Sequence, residues 1–165
     1  MFIKHQLTEN VKLLQKAVII RSRDIGREVL ILKRSSESVS RPSCWDLPGG
    51  NSEWPAENQM SSANLHLADL QREILEETAL TVDINDLSLD KLVHFSTYFE
   101  SEKQIFTMIA GWLIDYATTD QNEVRISNEH QEYAWVSEAD LPNYDFGGAK
   151  GSFILDIIQN SFAKI

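Results

Sequence analysis

The sequence predicts an α+β fold, with a mixed β-sheet and helices packed on both of its faces. Three observations carry this. Short aliphatic and β-branched runs are separated by turn signals. Two other segments place apolar residues at helical spacing. Strands and helices do not follow one another in regular βαβ alternation, which points away from a purely parallel sheet.

The elements follow in chain order. Residues 12–20 (KLLQKAVII) and 28–32 (EVLIL) read as two strands joined across Arg23-Asp24-Ile25-Gly26. The serine-rich stretch 35–42 reads as a loop, and Trp45-Asp46-Leu47 leads into the strong breaker Pro48-Gly49-Gly50. Residues 51–63 are polar and aperiodic, a long loop of the kind that is more often functional or disordered than decorative. A helix is expected from about Ser62 to Thr78, with Ser61 or Ser62 as N-cap. It has one apolar line through Leu67, Leu70 and Ile74 and a second through Ala68 and Leu75. Residues 89–99 and 104–114 read as a hairpin around Glu100-Ser101-Glu102-Lys103, and residues 133–136 as a further strand. Residues 137–141 read as a short capped turn of helix ended by Pro142. Phe153, Ile154, Ile157, Ile158 and Phe162 mark an amphipathic helix over 152–162.

Composition bounds the function. The 165 residues fit one domain spanning 1–165, and 42% hydrophobic with 24% charged residues is ordinary for a globular protein. Fifteen Lys+Arg against 25 Asp+Glu give a net charge of −10. That balance disfavours a nucleic-acid polymer, which is gripped through Lys and Arg on phosphates, and equally an anionic membrane surface. No stretch approaches the roughly 20 apolar residues of a membrane span. The N-terminal segment is too polar for a signal peptide. The lone Cys44 excludes an intrachain disulfide framework and fits a reducing cytoplasm. The oligomeric state is left open, a homodimer included.

The informative segment is Leu70-Gln71-Arg72-Glu73-Ile74-Leu75-Glu76-Glu77-Thr78. On a helix, Glu73, Glu76 and Glu77 fall within an arc of roughly 100°, and Asp69 projects from the same side. Such like-charge pairs each cost a few tenths of a kcal/mol, and only Arg72 is near. A cation offsetting that charge would be a hard ion, because the ligands are all oxygen: Mg2+, with Mn2+ as a substitute. A solvated acidic helix face is the competing interpretation of the three glutamates alone.

The segment resembles the signature of the Nudix hydrolases, which is Gly, five residues, Glu, seven residues, then Arg-Glu-aliphatic-x-Glu-Glu-x-Gly-aliphatic. Arg72 to Leu80 matches the second half at every fixed position except Ala79, which stands for Gly. Trp45 to Gly50 is similar to the strand end and Gly-Gly turn of that family, Leu30 to Arg34 to the preceding strand, and Glu129 to Val136 to its Glu-rich approach to a Trp-containing strand. Gly50 and Arg72 are 22 positions apart, eight more than the pattern, so the connecting loop is longer here. Without a gap the pattern's first Glu falls at Asn64. Glu53 and Glu57 are the alternatives for that residue, which in the family braces the loop through the signature Arg. Ala79 in a left-handed helix end costs about 1 kcal/mol relative to Gly, so another helix-end geometry is the alternative.

The resemblance implies a Nudix-type α/β/α sandwich and an Mg2+-dependent pyrophosphohydrolase. Its substrate would be a small nucleoside diphosphate derivative: a nucleoside triphosphate (oxidised forms included), a dinucleoside polyphosphate, a nucleotide sugar or ADP-ribose. It implies Glu73, Glu76 and Glu77 as metal ligands with the Gly50 carbonyl, Arg72 as part of the catalytic signature, and Glu129 as a further ligand or general base. Arg34, Trp45 and His130 are candidates for substrate contact. For each of them surface or core placement is the competing reading. His66, Arg41 and Lys150 are read first as surface or loop residues, and Tyr98 and Phe99 as core, with a base pocket as the alternative. Cys44 has no His/Asp partner that would make it a nucleophile. The alternative function is a non-catalytic nucleotide-binding module on the same fold, which retention of all three glutamates argues against.

Overall fold

The computed structural model describes residues 10–59, 63–83, 85, 87–116 and 123–165. Among the described residues six strands form one mixed sheet: β1 Val11–Arg23, β2 Gly26–Arg34, β3 Trp45–Asp46, β4 Leu92–Glu100, β5 Ile105–Asp115 and β6 His130–Ser137. The order is β3-β2-β1-β5-β4, with β6 on β2. β1 runs parallel to β5, in register from Val11↔Phe106 to Ile20↔Asp115. Every other pairing is antiparallel. Two helices, α1 Leu65–Thr78 and α2 Ser152–Lys164, cover opposite faces.

The period of two in each strand explains the layering. Ala17 and Ile19 of β1, with Leu30 and Leu32 of β2, pack with Leu70 and Ile74 of α1. Their neighbours Val18, Ile20, Val29 and Ile31 pack with Ile154, Ile157 and Ile158 of α2. A strand buried on both faces reads as a continuous aliphatic run, which is what residues 17–20 and 29–32 show. The predicted mixed sheet with helices on both faces is the observed architecture.

The differences are local. α1 begins at Leu65 after Asn64 in a left-handed conformation, and the proposed caps Ser61 and Ser62 lie outside the described residues. Of its two predicted apolar lines, only Leu67, Leu70 and Ile74 meets the sheet, while Ala68 and Leu75 are exposed, with none of the described residues burying them. The run from residue 89 opens with a 3-10 turn at Leu89–Lys91 before β4 begins. The turn after β6, Glu138–Asn143, is also 3-10 and carries Pro142 inside it. β6 begins at His130, three residues earlier than its apolar core suggests.

One irregularity positions the site. β1 and β2 pair only from Ile20↔Val29 to Arg23↔Gly26 and then splay apart. The chain from β3 runs into the gap. Ala17 N–H donates to the Pro48 carbonyl (2.8 Å), Gln15 N–H to the Gly50 carbonyl (2.9 Å), and Ser52 N–H to the Leu13 carbonyl (2.8 Å). Gly49 is required there. Its φ is +121°, and an added Cβ would collide with the Gln15 carbonyl oxygen.

Candidate active site

α1 lies over the Pro48-Gly49-Gly50 turn and presents its acidic face to it. Glu77 is buried, and its Oε2 accepts the Gly49 N–H at 2.7 Å. Burial pushes the Glu77 carboxyl up to about 7, with Lys16 and the Gly49 N–H offsetting part of that. Glu73, half-buried, faces Gly50 so closely that a Cβ on Gly50 would lie 3.0 Å from its carboxylate. Burial raises the Glu73 carboxyl too; Arg72 offsets part, while Glu76 and Glu129 add to the rise. Glu129 sits in the turn before β6, exposed, and its charge reaches Glu73. The last carbonyls of α1 are satisfied by the segment leading to Glu129: Arg125 N–H donates to Thr78 O at 2.9 Å and Ser127 N–H to Glu77 O at 3.4 Å. The structure therefore gathers Glu73, Glu76, Glu77, Gly50 and Glu129 at one end of α1.

Arg72 joins the cluster. Its guanidinium lies 2.9 Å from Glu73 Oε1, 2.9 Å from Glu76 Oε2 and 3.3 Å from Glu53 Oε1. Glu53 rather than Glu57 is thus the loop carboxylate paired with Arg72, and Glu53 N–H also donates to Asp69 Oδ2 at 3.2 Å. The helix ends as the family signature does. Ala79 takes φ +60°, and its N–H donates to Leu75 O at 2.9 Å, so the substitution leaves strain rather than a new geometry.

The donor set suits a hard divalent ion. It consists only of carboxylate oxygens and a Gly50 carbonyl whose second lone pair is not used by Gln15. Glu73 and Glu76 already reach a common cation, the Arg72 guanidinium. Among the described residues no three acidic, cysteine or imidazole groups converge on one point, so sharing an ion would require Glu73 and Glu76 to turn from Arg72.

The three candidate substrate contacts are placed differently. His130 is buried with Nε2 3.9 Å from Glu77 Oε1. Burial and then the charge of Lys16 push it down to about 4, so it faces Glu77 as a neutral imidazole rather than as an ion-pair partner. Arg34 is engaged in the fold, with Nε on the Ser40 carbonyl (2.9 Å) and Nη1 on Asp46 (3.1 Å). Trp45 packs into the cluster on the α2 side, edge-on to Tyr144 with centroids 5.1 Å apart. Tyr98 and Phe99 are not core. They are 59% and 50% exposed, because β4 is an edge strand.

Two groups went unnoticed in the sequence. Asp46 is fully buried and paired with Lys16 (3.1 Å), Arg34 (3.1 Å) and Arg41 (2.5 Å). Burial alone would raise its carboxyl; Lys16, Arg41 and the Leu47 N–H together hold it below the ordinary value. Lys16 is its counterpart. The one available signal was polar Gln15-Lys16 interrupting the aliphatic run of β1.

The family match and the curated relatives make this layered fold, with its acidic helix laid over a Gly-Gly turn, that of a hydrolase of phosphoric anhydrides. Residues 13–156 match the NUDIX domain family, and the chain belongs to it. Among curated relatives, the nucleoside triphosphatase NudI of Escherichia coli O1:K1 / APEC is 31% identical over 120 residues, which is 73% of this chain and 80% of NudI. Among solved structures, the NUDIX domain of Shewanella oneidensis NrtR complexed with ADP ribose superposes with a TM-score of 0.63 at 19% identity, covering 98% of this chain and 90% of that one. A C. elegans Ap4A hydrolase in a binary complex gives 0.60 at 21% identity, covering 92% and 95%. These two likenesses show the shared fold. Among the described residues no helix is long and apolar enough to cross a membrane.

Proposed function

We propose that this chain is one Nudix domain that hydrolyses the diphosphate linkage of a small nucleotide with Mg2+, or Mn2+ in its place. A nucleoside triphosphate is the leading substrate. The observation that carries this is the acidic face of α1 at the Gly-Gly turn: Glu73 seated against Gly50, Glu77 on the Gly49 N–H, and Glu76 sharing Arg72 with Glu73. The triphosphate preference is supported by the similarity to NudI over most of both chains. Dinucleoside polyphosphates, ADP-ribose and nucleotide sugars are the other members of the class.

In this reading Glu73, Glu76 and Glu77, with the Gly50 carbonyl, hold the divalent ion. When bound, the ion neutralises charge that develops on the phosphoryl oxygens. Gly49 N–H keeps one Glu77 oxygen fixed, which leaves the other free to ligate. Arg72 and Glu53 hold the lengthened loop against the helix. Glu129 acts as a further ligand or takes the proton of the attacking water; its exposure at the mouth of the cluster suits either role. Exposed Tyr98 and Phe99 offer aromatic surface for a base.

The test is a panel of nucleoside triphosphates, dinucleoside polyphosphates, ADP-ribose and nucleotide sugars, incubated with Mg2+ and with Mn2+, with products separated by chromatography. Turnover of at least one, with triphosphates the fastest, is the expected result. Absence of turnover across the panel overturns the enzymatic reading in favour of a binding module.

A further inference from the structure

One charged group beneath the site has no role in the chemistry described so far. Lys16 lies in the middle of β1 and is 4% exposed. An ammonium carries three N–H donors, and burying any of them unmatched is costly. All three are matched: Nζ donates to the Leu47 carbonyl (3.0 Å) and the Gly49 carbonyl (3.0 Å), and lies 3.1 Å from Asp46 Oδ1. Two of these acceptors are the backbone of the Leu47-to-Gly50 turn, so the ammonium grips the turn from below.

The upper side of the same turn meets the glutamates. Gly49, whose carbonyl Lys16 holds, gives its N–H to Glu77 (2.7 Å). Gly50, one residue on, is seated against Glu73. An aliphatic side chain at position 16, as its neighbours in β1 would suggest, leaves two buried carbonyls without that donor. Asp46 would still keep Arg34 and Arg41, so the fold does not depend on this lysine to neutralise a buried charge.

We propose that Lys16 is a positioning residue for the metal-binding glutamates: its ammonium fixes the Leu47-to-Gly50 turn in the arrangement that aims the Gly49 N–H at Glu77 and seats Gly50 against Glu73. This rests on the assignment of Glu73, Glu76 and Glu77 as ligands.

The experiment is a titration of the full metal-free chain with Mn2+, followed by the electron paramagnetic resonance of the free ion, with melting temperature recorded in parallel. Lys16→Met is compared with the unsubstituted chain and with Ile158→Ala, a core substitution on α2 that lowers stability on the sheet face opposite the acidic helix. Lys16→Met is expected to weaken Mn2+ binding by about tenfold or more, the scale seen when groups that orient metal ligands are lost. Ile158→Ala is expected to melt earlier with Mn2+ affinity unchanged. Lys16→Gln, which keeps two N–H donors but no charge, is expected to show a smaller loss, and it carries the test if the Met variant does not fold. Unchanged affinity in the Lys16 variants, or an equal loss in Ile158→Ala, overturns the proposal. An unsubstituted chain that binds no Mn2+ overturns the ligand assignment and this inference with it.

Discussion

Glu53 and Arg72 form an ion pair at 3.3 Å that ties the lengthened loop after Gly50 back onto the acidic helix. The same guanidinium holds Glu73 and Glu76, so the loop carboxylate competes for the cation that the helix carboxylates use. In the proposed metal-bound state, with Glu73 and Glu76 turned to a divalent ion, Glu53 at 3.3 Å and Asp69 at 4.0 Å are the carboxylates left to Arg72, and Glu53 is the nearer.

Glu53→Gln therefore lowers kcat by about tenfold, the usual scale for a group that orients ligands without being one. The loss of stability is small, because the pair is partly exposed. Glu57→Gln, at an exposed position, leaves kcat unchanged. Steady-state kinetics on the two variants decides it, and equal effects would contradict the Arg72–Glu53 assignment.

Ala79→Gly stabilises the protein. Ala79 pays for a left-handed φ of +60° that glycine adopts freely. The expected gain is about 1 kcal/mol, or roughly 2–4 °C in Tm for a chain of this size. A calorimetric scan reads it; a lower Tm would mean that the Ala79 methyl packs favourably enough to outweigh the strain.

Asp46→Asn destabilises by about 3–5 kcal/mol, because it leaves buried cations without their carboxylate. The pH dependence follows from the lowered Asp46 carboxyl. Between its ordinary and its folded value, the unfolded chain binds a proton that the folded chain does not, so the stability from this group is present above the ordinary carboxylate range. It is lost as pH falls through the lower, folded value. Urea unfolding from pH 5 to pH 2 should show that acid loss in the unsubstituted chain and less of it in Asp46→Asn; identical slopes would contradict the account.

Much of this was readable because it rests on local pattern. The aliphatic runs of β1 and β2, the helical spacing of Ile154, Ile157 and Ile158, and the glutamates of α1 each declare themselves within a few residues. What the sequence hid depends on contacts between distant segments. Lys16 looks like an interruption of a strand until the splay of β1 from β2 admits the Gly-Gly turn beside it. Glu53 and Glu57 are equivalent on paper, and only the path of the loop along β1 selects Glu53. Tyr98 and Phe99 have strand-core character, but an edge strand exposes them. Leu75 completes a second apolar line on α1, yet it stays exposed among the described residues.

In the proposed reading, hydrolysis depends on an ion held by the glutamates of α1. Glu76 tests it most directly, because it is exposed and its substitution leaves the core intact. With the best substrate of the panel and saturating Mg2+, Glu76→Gln should lower kcat by about 10²-fold or more at an unchanged Tm. A Glu76→Gln enzyme that turns over at the rate of the unsubstituted chain would contradict the account.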